Sequence, residues 1–198
     1  KVGHELRTPL TSLLGITEML ASNVFGPLSD DQQEAVRLMS SSVNNMVRLV
    51  NDLLQQTRLE RGTFQLEEAD FSMSAVVDRL RESLKPKAVA KGLSLIIELA
   101  PDVPSRLYGD SLRMYQILLN LGENAVKYTL AGHVLIRIFC QDNEHLVFQV
   151  ADTGIGVPVE MQNYIFDAFQ QGKYAPELEK GGLGLGLSIV TQLVELMK

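Results

Sequence analysis

The chain has 198 residues, of which 45% are hydrophobic and 21% charged, a composition typical of a globular protein with room for two modest domains. Its net charge of -6 gives no basic surface for nucleic acid, and its single cysteine, Cys140, excludes an internal disulfide. No apolar run is long enough to span a bilayer. The chain also begins inside a helical pattern without an initiator Met, so we interpret it as a cytoplasmic fragment, whether or not its parent is membrane-anchored.

Two amphipathic helices are predicted at the start of the chain. Apolar residues recur at alternating steps of four and three over residues 2–20 and again over residues 36–57, with a turn at Phe25-Gly26-Pro27 between them. This spacing is the apolar seam of a coiled coil or a four-helix bundle, and Ser29 with Gln32 predicts a capping box for the second helix. We predict a helical hairpin that dimerises into a four-helix bundle; the alternative is a seam packed against the rest of the same chain.

A histidine near the start of the first helix has notable neighbours. His4 falls between seam positions, so we expect it to point into solvent. Glu5 is adjacent to it, and Thr8 lies one turn further on the same face. Pro9 cannot donate to the carbonyl of Glu5 and crowds it, which favours a bend beside His4. An ordinary surface histidine beside a kink of no consequence is the alternative interpretation.

After Gly62 the pattern changes to strands and helices. We predict strands at residues 63–67, 93–99, 133–141 and 146–151, and helices at residues 70–90, from the N-cap Asp110 onwards, and over residues 182–197. A tight turn at Asp142-Asn143-Glu144 joins two adjacent strands, which favours a two-layer α/β sandwich over a doubly wound parallel sheet.

The helix after Asp110 carries polar side chains suited to phosphate and its counterion. Asn120 and Asn124 share a helix face with Lys127. Amide oxygens suit Mg²⁺ bridging phosphates, and a lysine supplies a cation for the phosphates themselves. The alternative is two amides that simply face solvent.

Two glycine-containing segments follow. Asp152-Thr153-Gly154-Ile155-Gly156 ends an apolar strand, where the carboxylate can accept a hydrogen bond from an exocyclic amine such as adenine N6. Gly182-Leu183-Gly184-Leu185-Gly186 opens a helix whose free N–H groups and dipole favour an anion. Taken alone, each is weak evidence, since Asp-x-Gly also forms ordinary turns.

Together these segments resemble sensor histidine kinases. The run His4-Glu5-Leu6-Arg7-Thr8-Pro9-Leu10 resembles their phosphoacceptor box, and residues 51–62 resemble the end of the same hairpin. Residues 116–129, 152–156, 165–169 and 182–186 resemble, in order, the N box, first glycine box, phenylalanine box and second glycine box of Bergerat-fold ATPases. The resemblance covers essentially the whole chain. It implies an α+β protein, in which a helical hairpin forming a dimeric four-helix bundle precedes a two-layer α/β sandwich with the Bergerat fold.

The resemblance also implies domains and partners. Residues 1–62 would be the dimerisation and histidine phosphotransfer hairpin, and residues 63–198 the catalytic ATP-binding domain, with the family's final hairpin missing. The implied activity is autophosphorylation of His4 with ATP and Mg²⁺, then phosphotransfer to an aspartate on the receiver domain of a response regulator. The expected partners are a second copy of the chain and that regulator, with no nucleic acid and no membrane contact by this fragment.

The resemblance assigns roles by position. His4 would attack the γ-phosphate, Glu5 would orient or deprotonate its ring, and Thr8 would support phosphatase activity. Asn124 would be the main Mg²⁺ ligand, with Asn120 assisting. The implied nucleotide-binding positions are Asn120, Asn124, Lys127, Tyr128, Asp152, Gly154, Gly156, Gly182, Gly184, Leu185 and Gly186, with residues 170–181 as a mobile lid.

One position separates the transferases from their hydrolytic relatives. Hydrolases of this superfamily carry a glutamate base one turn before the Mg²⁺ asparagine, where this chain has Asn120, and an amide cannot take a proton from water. Glu123 is offset in angle on the helix, so we do not expect it to act as that base.

Two rival functions remain open. One is a non-catalytic scaffold that dimerises and binds ATP, and the other is an ATPase that drives conformational work. Gly3 and Gly122 depart mildly from the family pattern, and Gly122 inside a helix should cost about 1 kcal/mol.

Overall fold

The computed structural model describes residues 2–142, 145–170 and 184–198, with side chains from Glu5 onwards except those of Leu6 and Arg7. The chain divides into two units. The first comprises the described residues up to Phe64 together with Gly184 and Leu185, and the second comprises the other described residues from Gln65 to Lys198. Within the described ranges, no helix combines the length and the apolar character that crossing a membrane requires.

The first unit is an antiparallel pair of helices, α1 (Val2–Ala21) and α2 (Asp30–Glu60). The connecting turn uses left-handed backbone at Asn23 and Gly26. The predicted capping box at the start of α2 is confirmed, because the Gln32 backbone N–H donates to Ser29 Oγ at 3.3 Å and the Ser29 N–H donates to Gln32 Oε1 at 2.9 Å. The α1 helix continues through Pro9.

The predicted seam of the first unit is only partly covered. Val36 and Val43 on α2 are buried. Five other seam residues, all large and apolar, are 43–52% exposed: Leu13, Ile16, Met39, Met46 and Leu53. The two helices therefore leave an apolar stripe along α1 and α2 that they do not cover themselves.

The described residues of the second unit form three α-helices and two small sheets. Its helices are α3 (Met73–Ala90), α4 (Ser111–Tyr128) and α5 (Gly186–Leu196), and a short 3₁₀ turn covers Val159–Met161. The strands are β1 (Ala69–Phe71), β2 (Ser94–Leu99), β3 (Leu107–Gly109), β4 (His133–Gln141) and β5 (His145–Asp152).

In the larger sheet the strand order is β2-β4-β5, with β2 parallel to β4 and β4 antiparallel to β5, while β1 and β3 form a separate antiparallel pair. Side chains of α3 and α4 pack on the larger sheet around fully buried residues: Leu80, Leu84, Leu118, Val134, Ile136 and Ile138. A helical N-terminal part followed by an α/β domain confirms the predicted fold class.

Gly122 has a packing role that its sequence position did not suggest. It is buried in α4, and a Cβ added there would lie 2.5 Å from Leu84 Cδ1 and 3.3 Å from Ile136 Cδ1. The missing side chain leaves the space that the Leu84 side chain of α3 occupies. The cost of a glycine inside the helix is therefore offset by close helix packing.

Three predicted boundaries are wrong. Residues 63–67 form no strand, and β1 begins at Ala69, because the Glu67 N–H donates to the Asp110 carboxylate at 2.9 Å instead of joining a ladder. The α3 helix begins at Met73, after the β1 residues that pair with β3. The last helix begins at Gly186, because Gly184 is left-handed with φ of +70°. Asp110 is confirmed as an N-cap, accepting from the Arg113 N–H at 3.0 Å.

Candidate functional site

A cavity of about 300 Å³ opens in the second unit where α4, the end of β5, the following loop and the start of α5 meet. Four predicted nucleotide-binding residues line it: Asn124, Tyr128, Asp152 and Gly156. Most of the remaining lining is apolar: Leu121, Ala125, Val150, Ile155, Val157, Pro158, Met161, Ile165, Phe166 and Leu187, with Gln170 at one side. An apolar cleft with a few convergent polar groups is typical of a small-molecule site.

The two asparagines of α4 differ in their surroundings. Asn120 donates from Nδ2 to the carbonyl of Gly186 at 3.3 Å, which joins α4 to the first residue of α5. The Asn124 side chain faces the cavity, and among the described residues it has no hydrogen-bond partner. Its amide oxygen is thus available to a ligand, while the Asn120 amide keeps one oxygen for the same purpose.

These donors fit Mg²⁺ only as part of a larger ligand set. Amide oxygens are suitable ligands for a hard cation. No cluster of three or more His, Cys, Asp or Glu side chains that would hold a metal occurs within the described ranges. The oxygens of a bound phosphate chain, together with water, would therefore have to supply most of the coordination, as is usual for Mg²⁺ at nucleotide sites.

The end of α4 adds a cation and a ring. Lys127 Nζ lies 5.0 Å from the centroid of the Tyr128 ring, within the range of a cation–π contact. Both residues are half-buried, and Tyr128 lines the cavity. The positively charged Lys127 ammonium group therefore lies beside Tyr128, which forms part of the cavity wall.

Asp152 ends β5 in a tight local turn. Its Oδ1 accepts a hydrogen bond from the Gly154 N–H at 2.8 Å, and among the described residues its other carboxylate oxygen has no partner. The turn therefore holds one oxygen and leaves the other free to accept from a ligand in the cavity that Asp152 lines.

Gly154 is required for the backbone to pass close to α4. A Cβ at this position would lie 2.5 Å from the Tyr128 carbonyl oxygen and 2.7 Å from Asp152 Oδ1. The next residue, Ile155, donates its N–H to the same Tyr128 carbonyl at 3.3 Å. Gly156 then adopts φ of +71°, a conformation that glycine adopts without strain.

Glu123 is committed elsewhere. Its carboxylate forms an ion pair with Lys87 of α3. This contact is consistent with the expectation that Glu123 does not act as a general base in place of the glutamate that the hydrolases carry at the position of Asn120.

Of the remaining predicted residues that the structure describes, the following do not line the cavity. Glu5 and Thr8 are exposed on α1, and His4 lies in the first turns of that helix, although its side chain is outside the described residues. Gly184 precedes α5, and Leu185 is buried. Gly182 and the predicted lid beyond Gln170 lie outside the described residues.

Most of the apolar wall and one lysine were not predicted from the sequence. Val157, Met161 and Ile165 recur at steps of four after the first glycine segment, a helix-like spacing that would have marked them as one surface. Lys91, at the end of α3, contacts the end of α4, and no local sequence pattern predicts that contact.

Two family models match the chain. Residues 1–62 match the His Kinase A (phospho-acceptor) domain, and residues 109–198 match the family described as histidine kinase-, DNA gyrase B- and HSP90-like ATPase. Among curated proteins, the chain is 37% identical over 201 residues to the sensory/regulatory protein RpfC of Xanthomonas campestris pv. campestris, covering 99% of this chain and 27% of that protein. It is 36% identical over 200 residues to the autoinducer 2 sensor kinase/phosphatase LuxQ of Vibrio cholerae, covering 100% of this chain and 23% of that protein.

Among solved structures, full-length ShkA in complex with AMPPNP is 34% identical, with a TM-score of 0.80, covering 98% of this chain and 39% of that one. The chain spans about a quarter of the length of the two curated relatives. A helical hairpin of the phospho-acceptor family followed by a domain of the histidine kinase-, DNA gyrase B- and HSP90-like ATPase family defines the class of protein. Within this class, the helical hairpin of residues 1–62, which matches the phospho-acceptor domain, identifies the family: the chain belongs to the sensor histidine kinases.

Proposed function

We propose that the protein phosphorylates His4 with ATP and Mg²⁺ and then transfers the phosphoryl group to an aspartate of a response regulator receiver domain. The observation that carries this proposal is the ligand-sized cavity lined by Asn124, Tyr128 and Asp152 in a chain whose first module matches the phospho-acceptor family. A nucleophile and a nucleotide site on separate modules are the two components that such a transfer requires.

In this scheme the described side chains bind and orient the nucleotide. The free carboxylate oxygen of Asp152 accepts from the adenine amino group, and the apolar wall covers the base. Lys127, whose ammonium group lies 5.0 Å from the centroid of the Tyr128 ring, would offset phosphate charge. Asn124 and Asn120 would hold Mg²⁺, which would offset negative charge on the phosphates.

The transfer itself uses the first helix. A ring nitrogen of His4 attacks the γ-phosphorus, the bond to the β-phosphate oxygen breaks, and ADP leaves. The imidazole proton passes to Glu5 or to water, and Glu5, being exposed on α1, is free to take it. Thr8, one turn along the same helix, would position the water that hydrolyses the phosphorylated regulator.

We further propose that the active form is a homodimer. The exposed stripe at Leu13, Ile16, Met39, Met46 and Leu53 has the spacing of a helix-bundle seam. Contiguous exposed apolar residues on helices mark an interaction surface. A second copy of the hairpin would complete a four-helix bundle.

Incubation with [γ-³²P]ATP and Mg²⁺ tests the proposal. We expect label that is acid-labile and alkali-stable on the parent chain and none on His4→Gln. The matched control is His145→Gln, which removes an exposed histidine of β5 and should keep full labelling. Label persisting on His4→Gln would refute the assignment of the phosphoacceptor. No label on any variant, despite measurable ATP binding, would favour a non-catalytic scaffold that uses ATP only as a conformational ligand.

Thr8→Ala separates the two activities. We expect this variant to keep autophosphorylation and to lose dephosphorylation of the regulator, which is measured by following label on a purified receiver domain. Equal loss of both activities would contradict the proposed role of Thr8 in positioning water.

A further inference from the structure

Lys91 lies at the C-cap of α3, and its ammonium group contacts the end of a different helix. Nζ donates to three backbone carbonyls at the C-terminus of α4: those of Val126 at 2.9 Å, Lys127 at 2.6 Å and Thr129 at 3.4 Å. An ammonium group carries three N–H donors, so its donors match three acceptors. Its positive charge also lies at the negative end of the α4 dipole.

The Tyr128 carbonyl, which lies between the Lys127 and Thr129 carbonyls in the chain, pairs with the loop that follows β5. Tyr128 O accepts from the Ile155 N–H at 3.3 Å and lies against Gly154. Gly154 in turn donates to Oδ1 of Asp152. Hydrogen bonds, together with the backbone of adjacent residues, therefore link the Lys91 ammonium, through the last turn of α4, to the carboxylate that lines the cavity.

The carbonyls of α4 that lack a helical donor depend on Lys91. Thr129 satisfies the Ala125 carbonyl with its own N–H at 3.0 Å and its hydroxyl at 2.7 Å. Without Lys91, the carbonyls of Val126 and Lys127 lose the donor that this lysine provides. Orphan carbonyls at a helix end favour fraying of the last turn, and that turn contains Tyr128.

We infer that Lys91 is a positioning residue for the nucleotide site: it fixes the last turn of α4, and thereby the distance between Tyr128 and the Asp152–Gly154 turn. The inference rests on the proposed function, because it takes Asp152 to be the group that accepts from the adenine amine. Lys91 itself does not line the cavity.

Comparison of two nucleotides tests the inference in the full chain. Inosine triphosphate carries a carbonyl where adenine carries its amino group, so it cannot donate to Asp152 from that exocyclic position. If Lys91 acts by placing Asp152, Lys91→Met should weaken ATP binding about tenfold and inosine triphosphate binding about twofold or less, as measured by calorimetry. Lys91→Arg, which keeps a charged donor, should recover most of the ATP affinity. Lys85→Met, an exposed lysine of the same helix, should change neither affinity.

The outcomes separate the inference from the proposed function. If the wild-type chain binds ATP no better than inosine triphosphate, the role of Asp152 in the proposed function fails. If the wild type discriminates and Lys91→Met loses both affinities equally, or loses neither, the positioning role is wrong. A circular dichroism melt identifies unfolding of Lys91→Met; in that event Lys91→Ala, which also removes the donors, is used, and discrimination equal to that of the wild type would overturn the inference.

Discussion

The two units use their apolar residues in opposite ways. In the second unit, Leu80, Leu84 and Leu118 have no exposed surface, and α3, α4 and the larger sheet enclose them. In the first unit, Ile16 and Met46 are about half exposed although they follow the same kind of apolar repeat. The same kind of apolar repeat in the sequence therefore forms a buried core in the second unit and a solvent-exposed surface in the first.

The difference shows what each unit needs in order to be complete. A pair of helices has too few layers to enclose a seam, so its apolar stripe must be covered by something outside the pair. A sheet with helices packed on it encloses its own core. The second unit's stability should consequently be independent of protein concentration, while that of the first unit should depend on it.

The largest effect that tests this contrast is dissociation of the proposed dimer. Met39→Glu places a charge in the exposed stripe, where a second copy would bury it without a partner, so we expect the dimer dissociation constant to rise about a hundredfold. Sedimentation equilibrium measures the change. The matched control is Leu38→Glu, one residue away on α2 and more exposed, at 61% against 45% for Met39. Equal dissociation of both variants, or of neither, would mean that the stripe is not the dimer surface.

Glycine-to-alanine substitutions give a smaller effect, of opposite sign in the two units. Gly122→Ala gains about 1 kcal/mol of helix propensity but forces a Cβ against Leu84, so we expect a net loss of about 1–2 kcal/mol. Gly15→Ala in α1 meets no atom within 4 Å and should gain about 1 kcal/mol. Scanning calorimetry at one protein concentration measures both. A stabilised Gly122→Ala would show that the packing between α3 and α4 is looser than described.

Removal of the capping box gives the smallest change. Ser29→Ala deletes the hydroxyl that accepts from the Gln32 N–H, and we expect the first unit to lose about 1 kcal/mol. Ser41→Ala, at an exposed position within α2, replaces a weaker helix former with a stronger one and should be neutral or slightly stabilising. Denaturant titration followed by circular dichroism distinguishes the two. If Ser29→Ala behaved like Ser41→Ala, the cap would contribute nothing measurable.

Features that depend on nearby residues were predictable from the sequence. The capping box at Ser29 and the N-cap at Asp110 each need only a polar side chain three residues before a backbone N–H, and both are confirmed. The hairpin of β4 and β5 followed from alternation around a short turn. The cavity residues Asn124 and Asp152 were selected because their segments, each weak evidence alone, occur in the order of the N box and the first glycine box of the family that the chain resembles.

Features that depend on distant residues were not predictable in the same way. Glu67 is held by Asp110, which lies far along the chain, so the absence of a strand at residues 63–67 has no local signature. The Leu84 side chain makes Gly122 necessary, and this pairing of α3 with α4 leaves no periodic trace. In the sequence, Lys91 is an ordinary charged residue at a helix end. Its contact with α4 exists only in the folded chain.

The parallel pairing of β2 with β4 has a consequence for how the protein folds. Ser94 pairs with His133, and all of α4 lies between them in the chain, whereas α1 and α2 pair across one short turn. Closing the longer loop loses more chain entropy before any contact stabilises it. We therefore expect the helical hairpin to collapse early and the registration of β2 against β4 to be the slow step, so that the nucleotide cavity is among the last features of the molecule to form.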